Sequence, residues 1–346
     1  MTVITRVLAV VDTLLCVLVF FPLAVLYWRG TWGLQDVFLA TTDQRTSAWT
    51  SFSIGASTSL AAQLVQPVLL RLATSKRRLL YTALCRLHLY ICGWGTLCYW
   101  RGVWNLVDLY TGVGWRSSLA VYCVWQMLAF VTCTARTNVG LPLSIQLDTD
   151  PDLLRPNTAF DVKPDEPVWF ALDVCFSQFV IVSGNVCVWR GMWNVVDTFL
   201  LPHAPVHSEV ASLLLGLAGL GLLFLLQWPT SVLSARLALK SSTYQLLFED
   251  AVFLFATWAN VLLWRGGWDM CVRYVRSENA ATVEWTTHAL GAGALLALQL
   301  LNNVTLNGID KDGSYSGGTG IYPTKFLRAC VCREAETEYD LLGPML

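Results

Sequence analysis

The sequence predicts an all-α integral membrane protein, with eight transmembrane helices laid out as four parallel-repeated helical hairpins in pseudo-fourfold order. Three observations predict it. Of 346 residues 55% are apolar and only 14% charged, and a soluble chain of this length needs more charge to cover its surface. The apolar residues gather into eight runs, each long enough to cross a hydrocarbon core of about 30 Å. A phrase of tryptophan, arginine and glycine recurs at the end of every odd-numbered run.

The runs cover residues 7–27, 48–70, 79–99, 116–135, 168–188, 210–228, 245–263 and 284–304, so residues 1–304 read as one transmembrane domain. In lipid each segment must satisfy its own backbone polar groups, which makes the runs helices. The first follows Arg6, is too long for a cleaved signal and ends in bulky aromatics, so it reads as a retained signal anchor. Lysine and arginine set the orientation: 14 of 23 lie in the N-terminus, the links after helices 2, 4 and 6, and the tail, including Lys76, Arg77 and Arg78. The positive-inside rule then places both termini in the cytoplasm and every repeated phrase on the outer face. The sequon at Asn303 falls on the inner side and is expected unused.

The phrases are Trp28-Arg29-Gly30-Thr31-Trp32, Trp100-Arg101-Gly102-Val103-Trp104, Trp189-Arg190-Gly191-Met192-Trp193 and Trp264-Arg265-Gly266-Gly267-Trp268. An aspartate follows the second tryptophan by four positions in three copies, as Asp36, Asp108 and Asp197, and immediately in the fourth, as Asp269. If the helix runs on past its glycine, arginine and aspartate share a face, and the intervening tryptophan offers the guanidinium a cation–π partner. One such end is what an aromatic belt with a snorkelling cation looks like. Four copies in register predict an outer ring of Arg/Trp/Asp clusters, the arginines pairing within or between repeats.

With eight spans and repeated W-R-G-x-W-x-x-x-D ends, the chain resembles the fuseless family of invertebrate multi-pass membrane proteins over nearly its whole length. The resemblance implies a presynaptic plasma-membrane protein of neurons that supports evoked transmitter release by organising voltage-gated calcium channels.

A second set of charges lies inside the spans, where ionisable side chains are costly and mark function by default. Asp12, Arg86, Asp173 and Asp250 fall at about one depth on the four odd helices, roughly 21 to 24 Å below the ring, and an ion pair between Arg86 and one of the acids is the structural expectation. Between the two layers Asn185 and Asn260 are polar exceptions, expected to bond between helices. Small residues such as Gly55 with Ser59, and Ala289, Gly293 and Ala297, mark the even helices as the close-packing ones. His88 and His288 read as hydrogen-bonded packing residues.

The link 136–167 has five prolines and six acids against three bases. It reads as an extended acidic cytoplasmic segment able to meet a partner. Residues 305–346 read as a flexible cytoplasmic tail. Within it Asp310 and Asp312 imitate the opening of a calcium loop, but Ile321 stands where the closing glutamate belongs. Cys330 and Cys332, beside Lys325 and Arg328, are the palmitoylation candidates.

Net charge is −1, which argues for no nucleic-acid partner. No metal-ligand spacing, nucleotide-binding loop or catalytic triad pattern is present, and His203, His207 and Glu209 are separated by Pro205. No cofactor is expected. The sequence thus points to a non-catalytic membrane scaffold, with the lipid bilayer and a calcium channel or other presynaptic protein as partners. The alternative is a transporter or ion channel whose pathway the intramembrane charges line.

Overall fold

The structure is a computed structural model that describes residues 3–39, 43–73, 78–143, 145, 147–148, 157–163, 165–275, 279–305 and 308–313. Lys76, Arg77, Cys330 and Cys332 lie outside the described residues. The described chain forms ten α-helices: α1 (Val3–Leu15), α2 (Phe21–Leu39), α3 (Gln44–Ala73), α4 (Arg78–Thr111), α5 (Trp115–Val131), α6 (Pro167–Phe176), α7 (Ser183–Phe199), α8 (Pro205–Ala238), α9 (Ser242–Tyr274) and α10 (Ala280–Ala297). Two π-helical turns, Cys16–Phe20 and Ser177–Val182, join α1 to α2 and α6 to α7, so the ten make eight rods. No strand forms among the described residues, where one isolated bridge pairs Asn157 with Gly308.

Four rods are long and apolar enough to cross a membrane: Val10–Leu39, Pro167–Phe199, Pro205–Ala238 and Ser242–Tyr274. The repeated phrase does not end its helix. α2, α4, α7 and α9 carry on past it to Leu39, Thr111, Phe199 and Tyr274, which corrects the expectation that each odd helix stops at W-R-G-x-W. Glycine inside a helix costs about 1 kcal/mol relative to alanine, so something must repay it.

Close approach of a second helix does. A Cβ on Gly30 would stand 2.4 Å from the His288 amide nitrogen of α10, and one on Gly102 would stand 2.4 Å from the Phe52 nitrogen of α3. On Gly191 it would meet the Ser118 carbonyl of α5 at 2.8 Å, and on Gly266 the Leu213 nitrogen of α8 at 2.5 Å. Small residues let backbones touch where lipid gives no hydrophobic drive to associate. The even helices answer in kind: Gly55, Gly216 and Gly291 lie against Tyr99, Leu263 and Tyr27, each the residue before a phrase. Gly293, expected in the seam of α10, meets nothing within 4 Å. Gly291, two residues away, makes the contact because helical spacing turns position 293 off that face.

The packing order follows. α2, α4, α7 and α9 touch in a closed inner ring, each covered by an outer helix: α3 on α4, α5 on α7, α8 on α9 and α10 on α2. The close hairpins are therefore an outer helix and the inner helix after it, offset by one from the odd-then-even hairpins expected. The first inner helix takes its cover from the far end of the sequence, so α10 closes the ring.

The link after α5 departs most from expectation. Leu141, Leu143 and Ile145 are buried in the main core, with Ala135. Cys133 and Gln299, both at positive φ, turn the chain inward after α5 and α10. The two segments then interlock: the Asp312 carboxylate accepts from the amides of Ala135 (2.7 Å) and Arg136 (2.8 Å), and Asp148 accepts from Leu301 (3.0 Å) and Asn302 (2.8 Å). Asp148 of the link thus caps amides of the far segment, Asp312 of that segment caps amides at the start of the link, and residues 308–313, read as the start of a flexible tail, are folded against it.

A tryptophan-lined cavity as candidate functional site

Helix continuity puts the four arginines and their acids on the inner ring, and pairing runs between copies. Arg101 Nε donates to Asp36 (2.8 Å), Arg190 Nε to Asp108 (2.6 Å) and Arg265 Nε to Asp197 (2.6 Å), so each arginine takes the aspartate of the preceding phrase. Asp269 stands 3.7 Å from Arg265 within its own copy. Val272 occupies the position that carries aspartate in the other copies. Arg29 therefore draws its acid from α10 and donates to Glu284 at 2.9 Å. Glu284 was missed in the sequence, although the fourth copy's displaced acid signalled that an acceptor had to come from elsewhere.

Burial sharpens the pairing. Arg190 is fully buried and Arg101 is 3% exposed, so their remaining donors need partners inside the protein. Arg101 also donates to Ser51 (2.5 Å) and Ser47 (2.9 Å) of α3, Arg190 to the Gly112 carbonyl (2.6 Å), and Arg265 to the Ser208 hydroxyl (3.0 Å) at the head of α8. Outer helices thus complete the Arg101 and Arg265 clusters, while Arg190 turns to the loop after α4 and its Nη1 is buried with no partner among the described residues. Cation–π contact also crosses copies, with the Arg29 guanidinium 5.8 Å from the centre of the Trp268 ring.

The tryptophans close two rings. Trp28, Trp100, Trp189 and Trp264 meet edge to face around the first, at centroid distances of 5.1, 5.8, 6.1 and 5.8 Å. One helical turn further on, Trp32, Trp104, Trp193 and Trp268 form the second, at 6.0, 5.8, 6.2 and 5.7 Å. Edge-to-face is the arrangement the ring quadrupole favours. It lets four indoles close a circle without stacking across its middle.

The two rings wall a cavity of about 330 Å³, within the range of small-molecule sites. Its floor is the interlocked pair of segments: Thr137 to Leu141 from the link, with Asn303, Thr305, Gly308 and Asp310 from the end of the described chain. The indole N–H of Trp189 donates to the Asn138 carbonyl (2.9 Å) and that of Trp264 to the Leu141 carbonyl (2.7 Å). Thr137 Oγ1 donates to the Asp310 carbonyl (3.1 Å) and accepts from the Asp310 amide (3.0 Å). Asn185 lines the cavity one turn below Trp189 and donates to the Thr137 carbonyl (3.1 Å); Asn260, expected to bond between helices, is fully buried with both side-chain polar atoms unpartnered among the described residues. Asn303, of the sequon expected to be unused, also belongs to this floor. Asp310 is the one charged residue among the described lining, because the arginine heads are turned to their acids.

The charges expected at one inner depth do separate things. Asp173 accepts from Thr158 (2.6 Å), the amides of Phe160 and Val162 (both 3.0 Å) and Ser177 (3.3 Å), organising the loop before α6. Asp250 hydrogen-bonds Asp312. Asp12 is fully buried. Arg86 is exposed, and its charge acts on Asp148 of the link. Among the described residues no ion pair joins Arg86 to Asp12, Asp173 or Asp250, which corrects that expectation: α4 exposes Arg86 on the side of the link acid.

The remaining polar groups are structural. His288 bridges Thr31 and Tyr90, at 2.8 Å from each, and His88 contacts Cys92 at 3.5 Å. Glu209 pairs with Arg273 across α8 and α9. Among the described residues no group of three metal-binding side chains converges.

No curated protein and no solved structure matches the chain. A family model does, that of Fuseless, over residues 7–305, a stretch that takes in all four phrases, both tryptophan rings and Glu284. The chain belongs to the Fuseless family.

Proposed function

We propose that this protein is a non-catalytic scaffold that crosses the membrane eight times with pseudo-fourfold repeats, and that it organises calcium channels at the presynaptic plasma membrane. The synaptic setting is what the resemblance to the fuseless family implies, and the distribution of lysine and arginine supports cytoplasmic termini. Eight helical rods support eight spans, four of them by composition as well as length. The observation that favours a scaffold over a conduit is the floor of the central cavity. Two chain segments, hydrogen-bonded to each other, with the link also accepting from the indoles of Trp189 and Trp264, lie across the axis where a pathway would run.

The test is affinity purification of the tagged full chain from neuronal membranes. Co-purification of a voltage-gated calcium channel is expected, and its absence under conditions that preserve other channel complexes would overturn the scaffold reading. The cavity itself favours a second reading, a transporter that moves the floor aside. Saturable flux of a solute in proteoliposomes would replace the scaffold with that reading.

A further inference from the structure

The cavity's wall chemistry selects among ligands. Eight indoles surround it, and an aromatic wall attracts cations through the ring quadrupole. The four phrase arginines, which would repel a cation, are held by Asp36, Asp108, Asp197 and Glu284 and do not line the cavity. The floor supplies one carboxylate, Asp310, 38% exposed and only loosely paired with Arg136 at 3.9 Å. An anion would meet that carboxylate and the negative faces of the rings, with no cation among the described lining to receive it. Exposure also increases in one direction: Trp100, Trp189 and Trp264 are buried, while all four indoles of the second ring are half-buried. The mouth therefore lies at the second ring and the carboxylate at the bottom.

We propose that this cavity is a binding site for a small organic ammonium ion, its cationic head enclosed by the tryptophan rings and drawn to Asp310. The walls are held by the protein itself, since each indole is braced edge to face by two neighbours in its ring. Little ordering is left to oppose binding. The site does not depend on the scaffold reading, and a transporter or a receptor would use it as well.

Choline is the probe, with 3,3-dimethyl-1-butanol, in which carbon replaces the charged nitrogen, as its neutral isostere. Equilibrium binding of labelled choline to the full chain in nanodiscs is expected to saturate at one per protein. Tetramethylammonium should displace it, and the neutral alcohol should compete at least about tenfold more weakly, the difference that one or two desolvated cation–π contacts make. Asp310→Asn should weaken choline by about tenfold while leaving the melting temperature in detergent unchanged. Equal competition by the alcohol would overturn the proposal, as would an Asp310→Asn protein that binds choline normally. So would the absence of saturable binding below about 10 mM to protein whose melting curve shows it folded.

Discussion

The two ends of the four inner rods both carry charges and use them in opposite ways. At the phrase end, four arginines are each met by an acid from a neighbouring element, and one rule describes three of the four pairs. At the other end, Asp12, Arg86, Asp173 and Asp250 share a depth and no rule: one organises a loop, one binds the Asp312 carboxyl and one faces an acid of the link. Repetition in sequence becomes symmetry in space only where the copies touch one another. At the phrase end inner helix meets inner helix, whereas at the other end two non-repeated segments intervene, and each charge answers to its own piece of chain.

The largest effect is expected where the symmetric end is buried. Arg190→Gln leaves Asp108 facing a neutral amide at the most enclosed of the pairs, and loss of one partner of a buried ion pair costs about 3–5 kcal/mol. Steric-trap unfolding in bicelles measures it, and a loss under about 1 kcal/mol would mean that the ring is solvated like a surface pair.

Next comes Gly102→Ala. A methyl there presses on the Phe52 backbone of α3, and overpacking of this kind costs about 1–3 kcal/mol. Gly293→Ala is its counterpart: with open space around it, the substitution should stabilise by up to about 1 kcal/mol through helix propensity. If both substitutions shift the melting temperature the same way, the distinction between seam and open face is wrong.

The ring's own inequality is smaller. The Asp36 side chain is 53% exposed and that of Asp108 21%, so Asp36→Asn should cost under about 1 kcal/mol and Asp108→Asn more than Asp36→Asn. Side-by-side melting curves decide the order.

The smallest effect is at the inner end. Burial pushes the Asp312 carboxyl up to about 7 and neighbouring Asp250 adds to the rise, against two backbone amides that favour the charged form. The raised value means that the folded state prefers the proton. Stability from this contact is complete below the ordinary carboxylate value of 3.8 and is lost as pH rises through about 7. Hydrogen-exchange protection of the Ala135 and Arg136 amides, corrected for base catalysis, should fall between pH 6 and 8. A rise would reverse the sign.

Much of the symmetric end was legible in the sequence because its period is. Tryptophan, arginine, glycine and acid recur at fixed spacing, and the helical repeat places them on one face. What spacing alone leaves undecided is whether arginine pairs within its copy or with the next, since both satisfy the same face. Nor does spacing reveal that each phrase glycine makes room for the outer helix beside it. The cavity floor was not legible. A proline-rich acidic link has the composition of an extended chain, and only the fold shows that Asp148 and, from the far segment, Asp312 are spent on backbone amides while Leu141, Leu143 and Ile145 fill the core. Asp310 sits in a glycine-rich stretch that imitates a linker, and nothing local reveals that it reaches the axis.

A pair of double-mutant cycles tests the central claim, that each arginine is paired with the acid of the preceding phrase. One crosses Arg190→Gln with Asp108→Asn, the other Arg190→Gln with Asp197→Asn, both read as unfolding free energy in bicelles. Pairing between copies predicts a coupling of about 1 kcal/mol or more in the first and additivity within about 0.5 kcal/mol in the second. Coupling confined to Asp197 would place each arginine with its own phrase and contradict the ring.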